Sequence, residues 1–313
     1  MKPQNPIRRR GFTLSELLVA MAITTIIVMV LVSITSIAFD TWNRSRSELR
    51  AARMGKMMMD FMARDLEALV VRTGNSNEWL SAVVDPDLSK IGTDSLKSTN
   101  AARLIFFTAA TDRYNGNVGT NLDKSGDVSC AAYLLDYRAV QEKTFILSRL
   151  LVDPDETFSG GDNTTPLLGV ATESKPLDGV FFDAGYELTD ITNARNRVCE
   201  NVYQFSVAFH VQVTDTSVTP AATRTVRVAI GPDGAKTFRI LGTGIITDYS
   251  GSDKNFVPSG RVVAAEIFAT VLSDFGLQQI QPGKRTFAND KAKAEFLAKN
   301  SYSFSKLVRL PGM

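Results

Sequence analysis

One carboxylate in this sequence stands where its setting makes it expensive. Arg8, Arg9 and Arg10 precede Gly11, and an almost uncharged stretch then runs to Asp40. Glu16 is the only ionisable residue inside it, and Leu17–Phe39 supplies 23 residues without a charge. A helix of about 20 apolar residues crosses a bilayer. A carboxylate placed in such a helix costs roughly 2.5–3.5 kcal/mol to insert and by default marks function. Glu16 therefore needs a cation. A secretory signal peptide does not fit, because its apolar core is only about 7–15 residues long. Neither Gly nor Pro interrupts Phe12–Met54, so nothing stops the helix at a membrane surface.

Other residues that could do chemistry are sparse. The single histidine, His210, lies within the alternating segment Asn201–Val213, where a lone His is far more often packed or solvated than catalytic. There is no G-x-S-x-G elbow, no P-loop and no H-E-x-x-H, so no enzymatic activity is expected. Asp112, Asn115, Asn117, Asn121, Asp123 and Asp127 gather oxygen ligands of the kind calcium takes. Their spacing is not that of an EF-hand, and Asn and Asp also belong in turns for their own reasons. No metal or other cofactor is assigned. Cys130 and Cys199 are the only cysteines, each at the edge of an expected strand. A disulfide between them would close a loop of about 70 residues and contribute roughly 4 kcal/mol by chain entropy. Two buried free thiols are the alternative.

The elements around these residues follow from periodicity. Asp40–Thr73 continues the helix as an amphipathic segment. Met54, Met58, Phe61, Met62, Leu66 and Leu69 mark one face, and Arg53, Lys56, Asp60, Arg64 and Glu67 the other. A helix from Phe12 to Arg72 would be roughly 90 Å long. Asp65 and Arg72 break the apolar face two turns apart and are expected to tie the helix end to a neighbouring loop. Gly74–Asn100 is rich in Ser, Asn, Asp and Gly and reads as a long connection.

Strand patterns follow at Arg103–Thr108, Ala131–Tyr137, Thr144–Leu151, Asn201–Val213, Thr223–Ile230 and Val262–Leu272, with another beginning at Gly179–Phe182. They predict an α+β fold: an antiparallel sheet with the N-terminal helix laid over one face. The expected organisation is a leader at 1–11, a transmembrane helix at 12–39, its amphipathic continuation at 40–73 and a β-rich head at 74–313.

At Gly11–Ala20, G-F-T-L-S-E-L-L-V-A, the chain resembles the type IV prepilins and the type II secretion pseudopilins. The resemblance implies that prepilin peptidase cuts between Gly11 and Phe12 and methylates the new N-terminus at Phe12. It implies that Glu16, then the fifth residue, pairs with the terminal amine of a neighbouring subunit. Arg64-Asp65-Leu66, Tyr133–Tyr137, Leu147–Arg149, Pro176–Val180 and Pro258–Leu272 make the chain most similar to minor pseudopilin J. The closing Tyr302–Pro311 lies outside that class and is similar to the pilin-like proteins of the Verru-Chthon cassette.

The implied partners are prepilin peptidase, other pilins or pseudopilins, a secretion or pilus assembly platform, and membrane lipid. The implied location is the inner membrane, with the head in the periplasm. Outside the cytoplasm a disulfide would be permitted. A minor type IV pilin serving adhesion or DNA uptake is the alternative function. The formal charge is +2, and without Lys2, Arg8, Arg9 and Arg10 the remainder holds 31 basic against 33 acidic residues. Nothing in that balance suggests nucleic-acid binding.

Overall fold

A computed structural model describes residues 13–93, 96–109, 128–138, 142–159, 166–186, 188–215, 220–281 and 284–311. The chain divides into two compact units, Met1–Glu48 and Leu49–Met313. Helix α1, Leu14–Glu67, belongs to both.

The first unit is described by the helix alone. From Leu17 to Phe39 every large apolar side chain is more than half exposed within the protein. The threonines in and just after this run are satisfied locally. Thr24, Thr25, Thr35 and Thr41 each donate their hydroxyl to the carbonyl four residues back, at 2.7–2.8 Å. Each of these hydroxyls is thereby paired within the helix, as a hydrocarbon environment favours.

The second unit is built on sheets. Strands β1 (Glu78–Val84), β2 (Gly92–Thr93), β3 (Leu96–Lys97), β4 (Ala102–Thr108), β5 (Ser129–Arg138) and β6 (Thr144–Val152) come first. Short helices α2 (Pro154–Ser159), α3 (Leu177–Asp183) and α4 (Leu188–Ile191) follow. Then come β7 (Arg197–Glu200), β8 (Val202–Asp215), β9 (Ala222–Ala229), β10 (Thr237–Leu241), β11 (Gly244–Thr247) and β12 (Arg261–Leu272). Helices α5 (Asp274–Ile280) and α6 (Asp290–Lys299) lead to β13 (Ser301–Arg309).

The single sheet expected from the sequence is two larger sheets and a small hairpin. Seven strands run in the order β11-β10-β1-β4-β5-β6-β7, four in the order β13-β12-β8-β9, and β2 pairs with β3. All strand pairs are antiparallel. One core joins Met58, Met62 and Leu66 of α1 to Phe106 and Leu147 of the larger sheet and to Phe205 and Val207 of the smaller. Phe209 and Phe238 stack at 4.2 Å between the two sheets.

A second core covers the opposite face of the larger sheet, where Trp79, Phe107, Leu134 and Val152 meet Leu177, Val180 and Phe181. Gly179–Phe182 is therefore helix rather than strand. Leu177, Val180 and Phe181 recur at helical spacing and are buried, and that packing overrides the β-propensity of Val and Phe. Glu78 fixes this helix from below. A register shift between Glu78 and Leu80 interrupts the regular pairing of β1 with β10. The Glu78 carboxylate accepts from the Leu177 N–H at 3.0 Å and from Arg239 at 2.5 Å. Arg239 also reaches the carbonyls of Thr172 and Glu173.

Helix α1 ends at Glu67, earlier than the sequence suggests. Leu69 bridges to Thr108, and Val70 donates its N–H to Phe107, so the sheet takes the backbone that a longer helix would use. The five charged residues expected on the outer face are all exposed, and Asp60 meets Lys306 at 2.6 Å. A disulfide between Cys130 and Cys199 is not formed; both are free and buried. Cys130 lies in the outer core and Cys199 in the inner one, on opposite faces of the same sheet. Their positions along β6 are set by Val152 and Leu147, about 17 Å apart at the usual rise. Burial pushes the Cys199 thiol up to about 12, with Glu200 adding to it, and pushes Cys130 higher still.

Two predictions follow from this packing. Without reductant, neither thiol reacts with a maleimide in the native protein, and both react once it is unfolded. A pair of thiols that stayed silent in denaturant until reduced would restore the disulfide. Gly55 sits under Phe304, whose ring would lie 2.3 Å from an added Cβ. Gly55→Ala should gain up to about 1 kcal/mol from helix propensity in a Phe304→Ala background and lose that gain when Phe304 is present. Denaturation midpoints of the four proteins measure the coupling.

Candidate functional site

The start of α1 is built by its own side chains. The first N–H groups of any helix lack partners within it. Thr13 precedes the first helical residue and Glu16 follows three positions later. The Glu16 N–H donates to Thr13 Oγ1 at 3.3 Å, and the Thr13 N–H donates back to Glu16 Oε2 at 2.9 Å. The Thr13 hydroxyl donates to the same oxygen at 2.9 Å. This is a reciprocal capping box. Glu16 is solvent-accessible in the single chain and is bonded through Oε2.

The capping role is one that the sequence analysis missed, although Thr13-Leu14-Ser15-Glu16 carries its T-x-x-E signature. It gives Glu16 work within its own chain, beside the intermolecular role that the resemblance implies. Gly11 and Phe12 lie outside the described residues, as do Asp112, Asn115, Asn117, Asn121, Asp123 and Asp127. Among the described residues, no group of three or more His, Cys, Asp or Glu could hold a metal ion.

At the other end of α1 the structure brings together residues distant in sequence. Asp65 is 2% exposed. Its two carboxylate oxygens accept from Arg149, Nε to Oδ2 at 2.7 Å and Nη2 to Oδ1 at 2.9 Å. Tyr133 donates its hydroxyl to Oδ2 at 2.5 Å. Burial, then the neighbouring Asp65 carboxylate, holds the Tyr133 phenol well above its usual range, so it remains a donor. The Arg149 guanidinium lies over the Phe61 ring at 4.7 Å. Asp65 thus ties the helix end to strands of the sheet, where the sequence suggested a neighbouring loop. Arg72 is beyond the helix end and exposed, whereas Arg149 comes from β6.

His210 Nε2 lies 3.5 Å from the Glu266 carboxylate on an adjacent strand, and Glu266 also accepts from Arg227 at 3.0 Å.

Comparison with known proteins locates the specific signal at the N-terminus. Residues 7–37 match a family profile described as the prokaryotic N-terminal methylation motif. The match includes Gly11, Phe12, Thr13, Glu16 and most of the apolar run. Among solved structures, the chain is similar to a type IV-like pilin from Thermus thermophilus. That alignment covers 84% of this chain and 96% of the pilin, with 12% identity and a TM-score of 0.31. No curated protein matches the chain at a significant level. The chain thus carries a prepilin-type methylation motif ahead of an apolar helix long enough to cross a membrane.

Removing one side of the buried Asp65–Arg149 pair leaves an uncompensated group in the core. Asp65→Ala or Arg149→Ala should each destabilise the protein by about 3–5 kcal/mol, while an apolar pair such as Asp65→Leu with Arg149→Met recovers much of the loss. Chemical denaturation of the three variants checks this, and single-variant losses under 1 kcal/mol would remove the pair from its structural role.

Proposed function

We propose that this chain is a non-enzymatic subunit of a pilin-type filament, in particular a minor pseudopilin of type II secretion. It is made as a precursor and held in the inner membrane by Leu17–Phe39, with its head in the periplasm. Prepilin peptidase cuts between Gly11 and Phe12 and methylates Phe12. The mature chain then assembles with related subunits through its N-terminal helix.

The methylation motif over residues 7–37 carries this reading. Two structural observations support it. The apolar side chains from Leu17 to Phe39 are not covered by their own chain, so lipid or other subunits must cover them. Asp65, Tyr133 and Arg149 come from the segments that resemble pseudopilin J, and they meet in one buried cluster. Leaving lipid for a filament is costly, and no nucleotide-binding motif is present in the sequence. The energy is supplied by a separate assembly machine.

Glu16 then has two successive roles. In the membrane it closes its own capping box. In the filament its carboxylate meets the new amino group of a neighbour. These roles separate by mutation. Glu16→Gln retains a group able to cap but carries no charge, and Glu16→Ala loses both. If the ion pair drives assembly, both variants are cleaved normally and both are absent from sheared filaments. Normal incorporation of Glu16→Gln would confine Glu16 to capping. Gly11→Ala should leave the precursor uncut, as mass spectrometry of the N-terminus would show. Normal maturation of that variant would overturn the prepilin reading.

A further inference from the structure

The outer face of the four-stranded sheet carries a groove that the filament reading does not use. Its volume is about 550 Å³. It opens where the edge of β8 changes partner. Phe205 donates its N–H to Asn100, whose neighbour Ala101 bridges to Phe205 in parallel, while Val207 accepts from Ile230 at the end of β9. The turn Gly231–Gly234 forms one wall and Thr99–Asn100 the other.

The floor is a row of hydroxyl and amide side chains across three strands. Register places Ser303, Thr270 and Gln204 side by side. Gln204 donates to Thr99 Oγ1 and accepts from Thr270 Oγ1 at 3.2 Å, and Thr270 lies 3.4 Å from Ser303 Oγ. These bonds hold the row in place before any ligand arrives. Ser206 and the Phe268 ring continue the floor. Asn100 Oδ1 is buried there without a hydrogen-bond partner among the described residues, and a buried acceptor of this kind calls for a donor.

From this donor set we infer that the groove binds a neutral saccharide. Side chains with paired donor and acceptor capacity suit a ligand whose hydroxyls both donate and accept. The lining does not select an ion. Arg227, the one cation on the groove among the described residues, pairs with Glu266 at 3.0 Å and lies over Phe268 at 5.1 Å, and Asp233 is on the exposed turn. It does not suit an extended peptide added to the sheet, because β8 is paired on both sides of the groove. Phe268 brings an aromatic side chain to the floor and can contact the apolar face of a sugar ring. Gly231 lines the wall beside Asn100, where an added Cβ would come 3.3 Å from the amide.

The inference is independent of filament assembly. The test uses the full chain in a detergent without a sugar headgroup, passed over immobilised neutral tetrasaccharides of glucose, mannose and N-acetylglucosamine, with a sulfated tetrasaccharide alongside. At least one neutral saccharide should be retained at low-millimolar affinity or better. Gln204→Ala should weaken it about tenfold, the loss of one or two hydrogen bonds. Ser206→Trp, which raises an indole from the floor into the groove, should abolish it, with the thermal midpoint confirming that each variant folds. No retention of any neutral saccharide, retention of the sulfated one alone, or binding untouched by both variants would overturn the assignment.

Discussion

Asp65 can occupy the core only because Arg149 and Tyr133 meet it there. A carboxylate taken out of water is costly unless matched by charge and hydrogen bonds. The bidentate geometry with Arg149 supplies both, and the Tyr133 hydroxyl adds a third bond. The three residues belong to α1, β5 and β6, so satisfying one carboxylate fixes the helix end against the middle of the larger sheet. The bond is directional where the surrounding apolar contacts are not. Met58, Met62 and Leu66 could slide along a sheet with little loss; a bidentate pair cannot.

Two further charged contacts repeat this logic on the sheet's other face. Glu78 and Arg239 hold the N-terminus of α3, and Arg103 reaches Asp178 at 3.2 Å and lies over Phe182 at 4.5 Å. Helices α2 to α4 are short, and a helix of one or two turns is marginal by itself. The sheet stabilises α3 and α4 by supplying an apolar floor to Leu177, Val180, Phe181 and Ile191, and it places a carboxylate at the first turn of α3. The same face gives Cys130 an apolar setting and leaves it far from Cys199.

Much of this architecture was legible locally. The strands at Arg103–Thr108, Thr144–Leu151, Asn201–Val213 and Val262–Leu272 follow from alternation and appear within a residue or two of their expected ends. The exposed face of α1 at Arg53, Lys56, Asp60, Arg64 and Glu67 was equally plain. What escaped was short or ambiguous. Strand β1 hides in a polar segment because its pairing with β10 is interrupted near Glu78 and Trp79, which breaks the regular alternation. Strands β10 and β11 are five and four residues long, too brief for periodicity to register. Val180-Phe181-Phe182 has strand composition and forms helix because its apolar residues face a surface at helical spacing.

The sequence by itself determined the N-terminal signal. The basic residues, Gly11, Glu16 and the uncharged run are consecutive, and their meaning depends on spacing along one helix. The Thr13–Glu16 cap is local in the same sense, since its partners are three residues apart. Only the tertiary structure decided which partner Asp65 takes, which faces the two cysteines occupy, that the strands form two larger sheets, and that Gln204, Thr270 and Ser303 share one groove. Each of these depends on strand register and on pairing between distant segments. A change of one residue in register turns a side chain to the opposite face, and no local pattern encodes which distant residue will stand beside it.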